Sequence, residues 1–579
     1  MNIFPNIKLT LPKSSSDKRN WNGLVGGSKY LAIAEALAEF QHTSLLICNS
    51  SAEAYEAETC LAIYLKDQIE ILNFPDWETL PYDQFSPHQD IISQRLETLS
   101  KLGQDKRALL ICSANTLMHK LPPTEFVKGQ SFSLKKGEPI NIEQFCVQLI
   151  DSGYRNSDTV FERGEFTRRG SILDLFPMGA EFPVRIELFD NEIETLRTFD
   201  SDTQRTIESL NEFKILPAKE FPFDDAAISR FKLAWQDEFD VDYRYCPIYQ
   251  DIKDKIIPNG IEYYLELFFG KTSSLFDYLP DNALIFYPKD IPISAQNFWN
   301  EVEDRYESLR WDTTRPLLAP NKVFLNDSDF NGFLKKFSRI AFDDKSRENN
   351  EARGEHSFPT QALPELSANY KLSDQLHSFK EFYLPIKSNT KVVICAQTAG
   401  RREQVLELFK KSELIPNQLN NLHEYFDLKN SGLFIVIADI AQGSWILHQE
   451  LNIILLSESE IYGHSVSQQR KKSKASEQNS ADLIIKNLSE LAIDAPVVHI
   501  DHGIGRYRGL ENLLIDNQDM EFLCLEYANN AKLYVPVASL HLISRYSGGA
   551  DDSAPLHSLG SDQWLKARRK AAEKIHDVA

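Results

Sequence analysis

The stretch Asn22-Gly23-Leu24-Val25-Gly26-Gly27-Ser28-Lys29-Tyr30 is the segment nearest in pattern to a phosphate-binding loop. Such a loop runs Gly-x-x-x-x-Gly-Lys-Ser/Thr. Its glycines bring backbone amides close to the phosphates, its lysine reaches them, and its last hydroxyl ligates Mg²⁺. Aligned on Gly23 and Lys29, the chain has Ser28 for the second glycine and Tyr30 for the short hydroxyl. A phenol held far from its backbone cannot replace that hydroxyl on the metal. The segment reads as a fold built around a nucleotide loop that no longer binds nucleotide. A second lysine-bearing segment, Gly270-Lys271-Thr272-Ser273, has Leu265 where the first glycine belongs and sits among aromatics, so it is rejected. His499 and His502 are three apart with Asp501 between them, but no Cys or further His lies nearby, and they read as structural. No catalytic residue and no metal site are assigned.

The whole chain bounds the remaining options. Its 579 residues suggest about four domains. With 42% hydrophobic and 25% charged residues it has the composition of a globular protein. A net charge of −21 disfavours a broad DNA-coating surface, because phosphate binding needs clustered positive charge. The seven cysteines are odd in number, scattered and never spaced Cys-x-x-Cys, so a reducing cytoplasm is the simplest setting. No signal-peptide pattern and no run of about 18 apolar residues occurs, so no membrane partner is expected.

Residues 1–120 alternate short apolar runs (44–48, 69–73, 107–112) with helical spacing (31–40, 52–65), as an α/β sheet with helices on its faces does. In residues 121–215 the runs 166–176 and 184–189 read as strands, with Asp190-Asn191 as a turn. Arg163, Arg168, Arg169 and Arg185 make a local positive face on an acidic chain. The polar run 343–355 reads as a linker, and residues 351–460 as a small α/β domain without evident chemistry. Residues 461–493 contain the basic tether 468–474. Near the C-terminal end, 522–527 and 532–537 flank Asn529-Asn530, a pair suited to a tight hairpin turn. Gly503, Gly505 and Gly509 suggest the bends of a small barrel that binds rather than catalyses. Residues 564–578 read as a basic amphipathic helix that the chain enters without a stop signal.

Long motifs carry a family resemblance. His499-Ile500-Asp501-His502-Gly503-Ile504-Gly505-Arg506-Tyr507, followed by Tyr527-Ala528-Asn529-Asn530-Ala531-Lys532-Leu533-Tyr534-Val535-Pro536-Val537, resembles the RNA-polymerase-interacting domain of the bacterial transcription-repair coupling factor (Mfd) family. CarD-type regulators have a similar small barrel. The resemblance implies that this barrel adds its edge to a sheet of the RNA polymerase β subunit. It places the apolar contact at Leu513, with Leu514 or Ile515 as alternatives because the loop length differs. The segments 163–177 and 185–190 resemble the UvrA-binding domain shared by Mfd and UvrB. This implies UvrA as partner, with Arg169 and Arg185 pairing with its acidic groups and Phe189 as an aromatic anchor. Whether Arg168 or Arg169 points outward stays open.

Residues 216–350 carry a second UvrB-like segment. Where UvrB ends a strand in an Asp-Glu pair for Mg²⁺, this chain reads Tyr287-Pro288-Lys289-Asp290. Trp77, Tyr82 and Phe85 precede Pro87 too closely to hold UvrB's DNA-inserting hairpin and read as core. The resemblance implies an adaptor of the following plan: UvrB-like domain 1a with a degenerate loop (1–120), UvrA-binding domain 2 (121–215), domain 1b (216–350), an α/β domain of unassigned role (351–460), a linker (461–493), a polymerase-binding barrel (494–549) and the start of a helix (560–579). In the family that helix leads to an ATP-driven DNA translocase. No intact motor motif occurs in these residues. ATP, Mg²⁺ and DNA are therefore expected only with a motor outside this chain, and the alternatives are an active UvrB-like ATPase or a CarD-like regulator.

Overall fold

The computed structural model describes residues 4, 11–66, 68–102, 106–201, 203–348, 354–369, 372, 374–448, 450–462, 493–499, 502–515, 518–528, 531–536, 543–545 and 556. The tether 468–474, Asp501, the turn 529–530 and the helix expected at 564–578 lie outside them. Two compact units are present, Met1–Trp77 with Pro81–Glu458, and Glu78–Leu80 with Ser459–Ala579. The architecture is α/β and multidomain. Among the described residues no helix is long and apolar enough to cross a membrane.

The larger unit is organised on a seven-stranded, all-parallel sheet. Its strands run in the order Glu355–Ser357, Lys18–Asn22, Ser338–Phe342, Leu284–Pro288, Ser44–Cys48, Ala108–Ser113, Glu70–Asn73. Residues 1–120 and 216–350 thus supply strands to one sheet. Its central strands are continuous apolar runs because both faces are buried. Alternate side chains enter two cores: Leu45, Ile47, Leu110 and Ile285 one, and Leu46, Cys48, Ile111 and Phe286 the other. The strand Glu355–Ser357 differs from the expected boundary, which gave it to the third domain. It pairs with Lys18–Asn22, and Glu355 accepts hydrogen bonds from Asn20 (2.9 Å) and Asn22 (2.7 Å). The expected linker 343–355 is therefore anchored at both ends, since Asp343 pairs with Lys289 at 3.0 Å.

A second, six-stranded sheet runs Thr206–Leu210, Glu192–Phe199, Val184–Phe189, Ile172–Leu175, Glu165–Arg169, Arg155–Asn156. The run 166–176, expected as one strand, is a hairpin instead. Gly170 turns the chain at φ +65°, a conformation glycine adopts without strain, and Phe166 pairs back onto Leu175. A third sheet, Thr360–Gln361, Ser444–Ile446, Asn452–Ser457, Thr390–Ala396, Gly432–Ile437, Asn417–Gln418, is parallel except at its first two strands. Helices begin on side-chain caps, as at Ser50, Asn141 and Thr398. Trp77 and Tyr82 are core residues, as expected, while Phe85 is partly exposed.

The smaller unit is a five-stranded antiparallel sheet in the order Lys532–Pro536, Gln518–Glu526, Gly503–Ile515, Pro496–His499, Ile543–Arg545.

The segment that leaves the second-sheet domain is fastened to the helix Gln89–Leu102 by Lys219 and Glu220. Glu220 forms a buried ion pair with the fully buried Arg95 (2.8 Å) and accepts from the Trp77 indole (3.1 Å). Lys219 donates to Gln89 (3.0 Å), and Arg163 reaches Asp90 (2.5 Å). Glu262, which accepts from Ser86 (2.8 Å), lies buried near Lys219, and burial pushes its carboxyl up to about 7. A carboxyl raised on folding holds more protons in the native than in the unfolded state. Stability therefore falls as pH rises from about 4.5 to 7. We expect Glu262→Gln to flatten this dependence by ~2–3 kcal/mol between pH 5 and 7.5, measured by urea unfolding; equal slopes in variant and wild type would rule the account out.

Candidate functional site

On the second sheet, cross-strand register decides which side chains share a face. Arg169 lies opposite Ile172, Ile172 opposite Glu187, and Asp174 opposite Arg185. Along Val184–Phe189 the residues Val184, Ile186 and Leu188 are buried, so Arg185, Glu187 and Phe189 face away from the core. Arg169 joins them on this outer face. Arg168 lies opposite Leu173 on the other face, where its nearest carboxylate is Glu143 at 3.7 Å. The structure thus brings Arg169, Arg185 and Phe189 onto one face and resolves the choice between the two neighbouring arginines.

The three residues differ in what holds them. Phe189 is 69% exposed, an uncommon position for a phenyl ring. Arg169 is exposed, and its guanidinium donates to the Asp158 carbonyl (2.6 Å) and to Thr159 Oγ1 (3.3 Å). Arg185 is already committed. Its Nε and Nη2 bind Asp174 Oδ1 and Oδ2 at 2.7 and 2.9 Å, Nη2 also reaches Gln204 (3.1 Å), and the guanidinium stacks 4.6 Å from the Phe199 ring centroid. The Asp174 hydrogen bonds push the Arg185 pKa further up. Beside it Arg197 pairs with Glu187. Sequence reasoning missed Asp174, although its place in Ile172–Leu175, where Leu173 and Leu175 are core, marks it as outward.

In the smaller unit, Leu513, Leu514 and Ile515 occupy the last three positions of Gly503–Ile515. They pair with Met520, Asp519 and Gln518 across residues 516–517. The strand runs on past its glycine-rich part, so Leu513 falls inside it rather than after it. A register shift between Tyr507 and Gly509 keeps the two strands paired. Along Gly503–Ile515, Pro496–His499 covers only residues 503–506, and two main-chain bonds extend this contact to Tyr507. Beyond Tyr507 one edge of the strand meets no other strand among the described residues. Cross-strand polar contacts brace the base of this hairpin, with Arg508 on Glu526 (2.9 Å) and Glu511 accepting from Lys532 (3.1 Å) and Tyr534 (3.0 Å).

In the glycine loop, Ser28 is buried and donates to the Val25 carbonyl (2.7 Å), Lys29 is ion-paired with Glu53, and Tyr30 is buried. Lys289, at the strand end where UvrB has acids, pairs with Asp343 and donates to the buried Asn22. Lys271 follows the end of helix Leu265–Phe269, whereas a phosphate loop precedes a helix. Among the described residues no group of His, Cys, Asp or Glu could hold a metal ion.

Residues 132–221 match the UvrB interaction domain, 386–461 the D3 domain of MFD, and 491–547 the CarD-like/TRCF RID domain. Transcription-repair-coupling factors of Haemophilus influenzae and Escherichia coli are each 39% identical, over 571 and 573 residues, or 98% and 99% of this chain and 49% of each relative. The one from Staphylococcus aureus is 27% identical over 96% of the chain and 47% of its own length. The chain spans about half the length of these relatives.

We expect Arg185→Ala to lower stability by roughly 2–3 kcal/mol, because it leaves Asp174 buried without its cation. Arg169→Ala should stay within about 0.5 kcal/mol of wild type. Denaturant unfolding of both variants checks this, and equal stabilities would deny Arg185 its structural role.

Proposed function

From a kinship with the transcription-repair-coupling factors that runs through 98% of its length, we infer that this chain is the adaptor part of such a factor. It couples transcription to repair by docking two partners at separate places. The observation that carries the reading is the presence in one chain of a UvrB interaction domain and a CarD-like/TRCF RID domain. On this reading the outer face of the second sheet recruits UvrA. Phe189 is the anchor, Arg169 offers its charge, and Arg185 acts mainly by shaping the face. The hairpin carrying Leu513, Leu514 and Ile515 docks RNA polymerase through its β subunit. Its free edge can extend a partner sheet by main-chain hydrogen bonds, while side chains set specificity. ATP and Mg²⁺ have no role in the chain itself, the glycine loop is not a nucleotide site, and DNA is engaged through the family's motor. The setting is the bacterial cytoplasm.

Capture of purified RNA polymerase and UvrA on the immobilised chain tests this. We expect wild type to hold both. Leu513→Arg should lose polymerase by tenfold or more and keep UvrA, since a buried interface anchor carries much of the affinity. Phe189→Ala with Arg169→Ala should do the reverse. Capture of neither partner by the folded wild type would overturn the adaptor reading. ATP hydrolysis abolished by Lys29→Ala would replace it with an ATPase.

A further inference from the structure

The glycine loop has an occupant within the same compact unit. The Gly27 amide donates to the Gly443 carbonyl at 2.9 Å, and the Val25 amide donates to Thr360 Oγ1 at 3.0 Å. The Thr360 hydroxyl in turn donates to the Gly23 carbonyl. Leu24 N–H goes to the Asp343 carbonyl and Gly23 N–H to that of Lys345, both at 3.0 Å. Four amides of the loop are therefore paired with protein oxygens, and two of those oxygens, on Gly443 and Thr360, belong to the third-sheet domain. Thr360 and Ser444 lie in paired strands at the edge of the third sheet, so the occupant is that domain's rim.

The glycines fit this occupant closely. A Cβ on Gly27 would lie 2.4 Å from the Gln442 carbonyl oxygen, and one on Gly26 would lie 2.6 Å from that of Gly443. Both obstacles are main-chain atoms, which cannot swing aside as a side-chain tip can. Gly26 also sits at φ +61°. These two glycines stand outside the positions that the phosphate-loop pattern demands. They are required instead by the close approach of a second backbone.

We propose that the loop of residues 23–27 is the receptor for the third-sheet domain. It grips the main chain of Gln442-Gly443 and the hydroxyl of Thr360 in the space an anion would need, so that domain docking and phosphate binding exclude one another. The nucleotide-type loop has become an intramolecular clasp. The inference concerns the chain's own assembly and does not rest on either external partner.

Hydrogen exchange on the full chain tests it. Gly27→Ala should raise exchange in Ser444–Ile446 and Asn452–Ser457 by about tenfold or more, while Val184–Phe189 stays protected. Thr360→Val is milder, because it removes a hydroxyl without adding bulk. It should raise exchange in the same segments to a smaller extent. Unchanged exchange in both variants would overturn the clasp. So would general unfolding of Gly27→Ala beside an unaffected Thr360→Val. Titration of wild type with pyrophosphate and Mg²⁺ should show no binding. Binding that disappears in Lys29→Ala while Ser444–Ile446 remains protected would show that clasp and anion coexist, contrary to the proposal.

Discussion

The larger unit depends on a parallel sheet buried on both faces. Parallel strands need crossover connections, and those connections put mass on each side of the sheet. Here that mass includes two further sheets. One face shares its core with the six-stranded sheet through Leu173 and Ile186, and the other with the third sheet through Val393 and Leu455. Because strand side chains alternate, Leu45 and Leu46 serve different cores one residue apart. A one-residue slip of that strand would exchange the two cores. The register of the central strands therefore governs the seating of both the six-stranded sheet and the third domain.

The same constraint bears on the glycine loop that follows the strand Lys18–Asn22. A strand–loop–helix turn at the carboxyl edge of a parallel sheet leaves loop amides unsatisfied, and some oxygen must accept from them. In this chain the oxygens come from Gly443, Thr360 and the segment after Phe342. Nearby, the Lys289 ammonium neutralises Asp343 without a metal.

Much of this was legible in the sequence, for a physical reason in each case. Continuous apolar runs such as Ser44–Cys48 announced two-sided burial, and the alternation in Val184–Phe189 announced one face. Phe189 could be placed because the alternation of Val184–Phe189 fixed its side, whereas the choice between Arg168 and Arg169 needed the register with Ile172–Leu175. What escaped were contacts between residues far apart in the chain. Nothing local to Gly26 and Gly27 names Gln442 as their neighbour, more than four hundred residues on. Asp174 was visible as a residue, but its bond to Arg185 required the register of two strands. Boundaries drawn from composition failed for the same reason: 343–355 looks like solvent-exposed linker until Asn20, Asn22 and Lys289 are found holding its ends.

The charge on the outer face of the second sheet is smaller than its arginines suggest. Arg185 is neutralised by Asp174 and Arg197 by Glu187, both within the sheet. A partner that withdrew Arg185 from Asp174 would leave a buried carboxylate behind, and breaking such a pair costs several kcal/mol. Any acceptor offered by the partner would have to offset that before adding affinity. Arg169 carries no such cost, since it gives up only neutral acceptors near water. Phe189, exposed to a large degree, gains by leaving water at all. For a partner docked on this face, apolar burial at Phe189 would supply attraction and the released Arg169 cation direction.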